Sequence, residues 1–134
     1  MSKGKLGSKS ENDHVLFKFI NKEKHEDIRH YMQEIDDPTK IRRLENHQGY
    51  SLFQMAARRC SRKSLEIFIE FIMDSKSKVQ KSESRKARYI EEMINTLSNS
   101  KEGFNALHFA AFRGELEIIR LFESYGADHT VKSR

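Results

Sequence analysis

The chain has 134 residues, a length that suits one domain with its own core, and it combines 34% charged with 37% hydrophobic residues at a mean hydropathy of −0.78. No run approaches the roughly 18 apolar residues of a membrane helix, MSKGKLGSKSENDH lacks the apolar centre of a secretory signal, and Ser2 rather than glycine follows the first methionine, which excludes N-myristoylation. Cys60 is the only cysteine, so neither an intrachain disulfide nor a cysteine-based metal cluster can form, and an intracellular, cytoplasmic setting is expected.

The net charge of +5 is concentrated. Segment 76–88, KSKVQKSESRKAR, sets Lys76, Lys78, Lys81, Arg85, Lys86 and Arg88 against Glu83 and so carries a net +5 by itself. The remainder is near neutral, which argues against a domain-wide nucleic-acid surface.

In chain order, residues 1–13 are small and charged and read as a disordered leader. Residues 15–35 place Phe17, Ile20, Ile28, Tyr31, Met32 and Ile35 at helical spacing on either side of a polar break, NKEKHE, predicting two short helices joined by a tight turn. DDPTK ends the second, because the residue before Pro38 is pushed out of the α region. NHQG is a turn, Ser51 an N-cap, and Leu52, Phe53, Met55, Ala56 and Ala57 a small apolar helix. Leu65, Ile67, Phe68, Ile69, Phe71 and Ile72 form another, apolar nearly all round and therefore buried on more than one side.

Residues 77–86 read as an exposed excursion, and ARYIEEMINTL (87–97) returns to helical spacing. SNSKEG is a further turn. A helix follows from about Asn105 to Phe112, Gly114 breaks it, Glu115 and Glu117 suit the first turn of the next helix, and Gly126 suits a left-handed cap. The pattern is turn, short helix, turn, longer helix, three times. An eight-residue helix is only about 12 Å long and does not persist alone in water, so such units must stack.

At this point the residues resemble a family. GFNALHFAAFRGELEIIRLFESYGADHTVK resembles an ankyrin repeat, NALHFAA standing where the family has Thr-Pro-Leu-His-x-Ala-Ala. Gly103, Leu107, His108, Ala110, Ala111, Gly114, Ile118, Leu121, Gly126, Ala127 and Asp128 fall on family positions. NHQGYSLFQMAA resembles the same opening, with Ser51 for Thr, Leu52 for Pro, Phe53 for Leu and Gln54 for His. Cys60 occupies the family's turn glycine, and three extra residues before LEIF imply a longer turn between the helices. LFKFINKEKHEDIRHYMQEI resembles a degenerate, capping first repeat.

The resemblance implies an all-α fold with short β-hairpin turns: an ankyrin-repeat solenoid of about three helix-turn-helix units over residues 14–134. The repeats would be 14–45, 46–97 and 100–132, the second interrupted by a basic loop or helix at 76–93. TVKSR stands where another hairpin would begin, so the domain is expected to continue.

Function, on this resemblance, is a non-catalytic protein–protein interaction module, monomeric and without cofactor, that binds a protein partner through hairpin tips and the concave face of its first helices. Carried over position by position, the partner-binding residues are His47, Gln48, Tyr50, Arg58 and Arg59 in the second repeat, and Lys101, Glu102, Phe104, Phe112, Arg113 and Tyr125 in the third. Tyr50 and Phe104 share one hairpin position. They either form an interface hot spot with Phe112 and the arginines or pack on adjacent loops, and the sequence weighs the two equally. Lys76, Lys78, Lys81, Arg85, Lys86 and Arg88 belong to a solvated loop, an anionic-membrane contact or a nuclear-import signal. Two other architectures carry such repeats: the cytosolic regulatory arm of a larger membrane protein, as in ankyrin-bearing acyltransferases and ion channels, and the ankyrin effector of an intracellular bacterium.

Chemistry-bearing residues fit structural roles instead. His108 lies inside the repeat motif, where the family uses it to hydrogen-bond neighbouring loops. The histidines of HEDIRH are five apart, about 140° around a helix, and do not face one metal. Cys60 in RRCSRK has no His-Asp or His-Asn arrangement beside it and reads as a loop thiol.

Overall fold

The computed structural model describes residues 12–74 and 83–133, and these are mostly helical. The described helices are α1 (Val15–Asn21), α2 (His25–Glu34), α3 (Leu52–Arg58), α4 (Arg62–Met73), α5 (Glu83–Asn95), α6 (Ala106–Arg113) and α7 (Leu116–Ser124). A 3-10 segment, Pro38–Arg43, lies between α2 and α3. Sequence periodicity stopped at the proline and missed this segment, which polar chemistry rather than apolar spacing creates. The Asp37 carboxylate accepts from both the backbone N–H and the hydroxyl of Thr39, at 3.0 and 2.7 Å, and Pro38 takes the first turn, where its missing N–H costs nothing.

Three helix pairs share one internal spacing. Their N-caps are His14, Ser51 and Asn105, whose side chains accept from Leu16, Gln54 and His108 backbone N–H groups respectively. Nine residues after each N-cap stands a residue with positive φ: Glu23 (53°), Cys60 (58°) and Gly114 (69°). At each, the same two backbone bonds close the helix: Glu23 N–H to Ile20 and Lys24 N–H to Phe19, Cys60 to Ala57 and Ser61 to Ala56, Gly114 to Ala111 and Glu115 to Ala110. This is the Schellman arrangement, which satisfies the last carbonyls of a helix through one left-handed residue. The second helices then begin two residues later, at His25, Arg62 and Leu116. The longer turn expected after Cys60 is therefore absent. The extra residues lengthen α4 to 12 residues, against 9 in α7, because an added helical turn satisfies its own backbone and a longer loop does not.

Packing follows from these spacings. α1 lies against α3 and α3 against α6, so the short first helices form a row; α2 lies against α4. Ala56, Ala57, Ala106 and Ala110 are fully buried and let the row approach closely. The Phe53 ring is stacked at 6.3 Å from Phe68 of α4 and 6.4 Å from Phe122 of α7, joining two helix pairs through one core. Buried positions on α4 include Ser64, Leu65, Ile67, Phe68, Ile69 and Ile72, which accounts for its nearly all-round apolar character.

The insertion departs from expectation. Residues 77–86 read as an excursion, yet α5 already starts at Glu83, and its Ile90, Met93 and Ile94 join the core. It packs on α3, α4, α6 and the 3-10 segment. The Lys86 ammonium donates to the Met73 carbonyl at 3.2 Å, and the Arg42 guanidinium lies over the Tyr89 ring at 4.2 Å. Asn95 donates to the Gly126 carbonyl at 3.2 Å and accepts from the Asp128 N–H at 2.8 Å. The described part of the insertion is thus a brace under the third helix pair. Of the expected leader, only Asn12 and Asp13 lie within the described residues, and Asp13 is engaged by His47.

Two stability predictions follow from the turns. Cys60→Gly should raise the melting temperature by a few degrees, and Gly114→Ala, where no atom lies within 4 Å of a new Cβ, should lower it comparably; each reflects the cost of about 1 kcal/mol for a side chain in the left-handed region. His14 caps α1 through a neutral Nδ1 while its Nε2 meets the Tyr31 hydroxyl at 2.9 Å, and burial lowers its pKa. The folded chain therefore favours the neutral ring: this stabilisation is complete above the ordinary imidazole range and is lost as pH falls through the lower folded-state value. Thermal scans of wild type should show stability declining on acidification below about pH 6.5, and His14→Asn, which keeps a capping oxygen, should flatten that decline.

Candidate interaction groove

Two hairpin tips precede α3 and α6. In the first, Glu45 and Ser51 form an antiparallel bridge, and the Asn46 carboxamide oxygen accepts from the Gln48 and Tyr50 N–H groups, both at 2.9 Å. Gly49 closes it at φ 86°, where a Cβ would lie 2.6 Å from the Asn99 carbonyl carbon. In the second, Ser98 N–H donates to the Phe104 carbonyl at 2.8 Å, and Gly103 supplies φ 65°. The tips touch: Asn99 donates its backbone N–H to the Gly49 carbonyl and its side-chain amide to the Glu45 carboxylate, at 2.9 and 2.6 Å.

Tyr50 and Phe104 occupy the same place in their tips and meet different fates. Tyr50 is only 2% exposed, with Phe109 of the following pair edge-on against its ring at 5.2 Å. Of the two roles the sequence weighs equally, packing holds for Tyr50 and direct binding by its ring is corrected: the ring is core, because the neighbouring α6 covers it. Phe104 has no described pair beyond it and stays half-exposed, edge-on to His108 and Phe109 and 6.5 Å from Phe112.

Beside these rings lies an open groove of about 780 Å³ lined by Arg58, Arg59, Glu102, Phe104, Phe109, Phe112 and Arg113. Six of these were expected from the sequence. Phe109, 4% exposed, was not, because helical spacing marks it only as a core position; it forms the floor. Phe112 projects at 80% exposure, the largest value among the exposed large apolar side chains described.

The charges of the groove are arranged unequally. The Tyr50 hydroxyl donates to the Glu102 carboxylate at 3.3 Å, and Arg58 lies 5.6 Å from the Tyr50 ring centroid. Glu102 is held below the usual carboxylate range by its own backbone N–H first, then by Ser100, Tyr50 and Arg58, while burial pushes the Tyr50 hydroxyl up, reinforced by the Glu102 charge. Arg59 donates to the Asn21 carbonyl at 3.3 Å, a neutral acceptor, and Arg113 has no hydrogen-bond or ion-pair partner among the described residues.

The other expected residues lie elsewhere. His47 is tied to Asp13, its N–H and Nδ1 meeting the two carboxylate oxygens at 2.7 and 2.8 Å. With Gln48 it lines a separate depression of about 200 Å³ that also includes Lys22 and Met55. Lys101 is exposed on the second tip, and Tyr125 is half-buried at the end of α7. Arg85 and Arg88 are exposed on α5 and Lys86 is bound to Met73, whereas Lys76, Lys78 and Lys81 lie outside the described residues.

His108 has the structural role expected of it. Its Nδ1 accepts from the Asn105 N–H at 3.0 Å and its Nε2 lies 2.8 Å from the Val131 carbonyl in the following loop. Gln54 does the same in the preceding pair, reaching the Thr96 carbonyl at 2.9 Å. Cys60 is half-buried in its turn, and among the described residues no group of three His, Cys, Asp or Glu side chains could hold a metal ion. No described helix is long and apolar enough to cross a membrane. Compared with known proteins, the chain matches no family model, no curated protein and no solved structure.

The contrast between the two aromatic positions is measurable. Tyr50→Ala should destabilise the fold by about 3 kcal/mol, the range of buried aromatic truncations, whereas Phe112→Ala should change stability by less than about 0.5 kcal/mol. Urea unfolding followed by far-ultraviolet circular dichroism distinguishes them.

Proposed function

We propose that the chain is a non-catalytic interaction domain of the ankyrin type, whose partner-binding surface is the groove between the ends of α3 and α6 and the second hairpin tip. The observation that carries this reading is the common spacing of the three helix pairs, N-cap to left-handed turn in nine residues, with the short helices packed in a row. The reach of Gln54 to the Thr96 carbonyl just ahead of the third pair, and of His108 to the Val131 carbonyl just after it, supports it too. In such an arrangement the last turns of successive first helices share one face. An exposed aromatic flanked by arginines there, Phe112 beside Arg113 and Arg59, has the composition of a protein interface rather than of a solvated surface. The partner is accordingly a protein, and the work of the domain is recognition.

Proximity labelling with the wild-type domain and with a Phe112→Ala/Arg113→Ala variant tests the proposal. Both should show the same helicity and melting temperature. A set of proteins labelled by wild type should be lost with the variant; identical labelling by the two folded proteins would remove the groove from the interaction.

A further inference from the structure

The equivalent positions of the three helix pairs carry a chemical pattern. Eight residues after the N-caps His14, Ser51 and Asn105 stand Lys22, Arg59 and Arg113, all exposed, in the turns that end α1, α3 and α6. The hydrogen bond from Arg59 to the Asn21 carbonyl places its guanidinium next to Lys22, and Arg59 and Arg113 line the same groove. Three cations thus follow one another along the row of first helices.

The carboxylates lining the two depressions are already engaged. Glu102 accepts from Tyr50 and faces Arg58, and Asp13 holds His47. That leaves Lys22, Arg59 and Arg113 without a carboxylate partner among the described residues, with Phe112 beside the last of them. We infer that this cationic row receives an acidic polypeptide segment, laid across the ends of α1, α3 and α6, with an apolar side chain at one end against Phe104 and Phe112.

The inference rests on the docking surface proposed above and specifies its occupant. Packed helices lie about 8–10 Å apart, and a chain in the polyproline II conformation advances about 3.1 Å per residue with three residues per turn, so that every third side chain falls on one face. Carboxylates about three residues apart in the bound segment therefore meet successive cations. Lysine or arginine at those places would face like charge at each cation, in the groove at Arg59 and Arg113 and in the neighbouring depression at Lys22, which selects against basic segments.

Two displayed peptide libraries test this, alike in length and otherwise random, one with glutamate fixed at every third position and one with lysine there. Selection on the immobilised domain should enrich peptides from the glutamate library, with an apolar residue at one end. Synthesised and measured by fluorescence anisotropy, these should bind Arg113→Glu and Lys22→Glu about tenfold more weakly than wild type, bind Arg120→Glu unchanged, and weaken as salt is raised. Enrichment from the lysine library, equal enrichment from both, or none from either overturns the inference. Selected peptides that lose binding with Phe112→Ala but ignore both charge reversals overturn the acidic occupant and leave the groove standing. Peptides insensitive to all three variants remove the groove as well.

Discussion

A helix of seven or eight residues gains too few backbone bonds to offset the cost of nucleating it, so α1, α3 and α6 exist only because each is covered by another. α3 is the clearest case. Every residue from Leu52 to Ala57 is buried, with α1 on one side, α6 on the other and α4 beneath, and the Phe53 ring reaches both Phe68 and Phe122. Such mutual support demands a repeated geometry, since each pair must present to the next the surface it received. The common nine-residue spacing from cap to left-handed turn supplies that geometry, and the side chains on it are free to differ: Glu23, Cys60 and Gly114 hold one conformation with three chemistries.

The groove is a consequence of the same repetition. A position covered in one pair is bare in the pair that has no described neighbour: Ala57 is fully buried and Ala111 exposed, Tyr50 lies under Phe109 and Phe104 is left half-open. Groove and core are thus lined by equivalent residues, which differ in whether a described pair covers them. The charged rim persists because the ends of the first helices face outward in every pair.

Much of the helical architecture was legible in the sequence because it is written in local signals. The apolar spacing, the N-cap Ser51, and the glycines at 49, 103, 114 and 126 each act over a few residues and survive tertiary context. What failed to show was decided at long range or by polar contacts. Nothing local marks the added residues after Cys60 as helix, so the sequence implies a longer turn where α4 begins at Arg62. α5 packs on α4 and the 3-10 segment, contacts that the basic run of its first residues does not announce. For the candidate site, six groove residues could be named from their positions, but whether Tyr50 faced a partner or a neighbour depended on α6, more than fifty residues away.

Asn95 uses both ends of one carboxamide on the turn that closes α7, holding Gly126 through its carbonyl and Asp128 through its N–H. The third helix pair is thereby fastened from outside itself, by an element that lies between it and the pair before. Opening the turn after α7 therefore breaks bonds to the last turn of α5, which couples the backbone amides of the two elements. Their exchange with solvent should report one cooperative block spanning the insertion and the carboxyl-terminal pair, joining the mechanical fate of the groove to a segment that contributes no side chain to it.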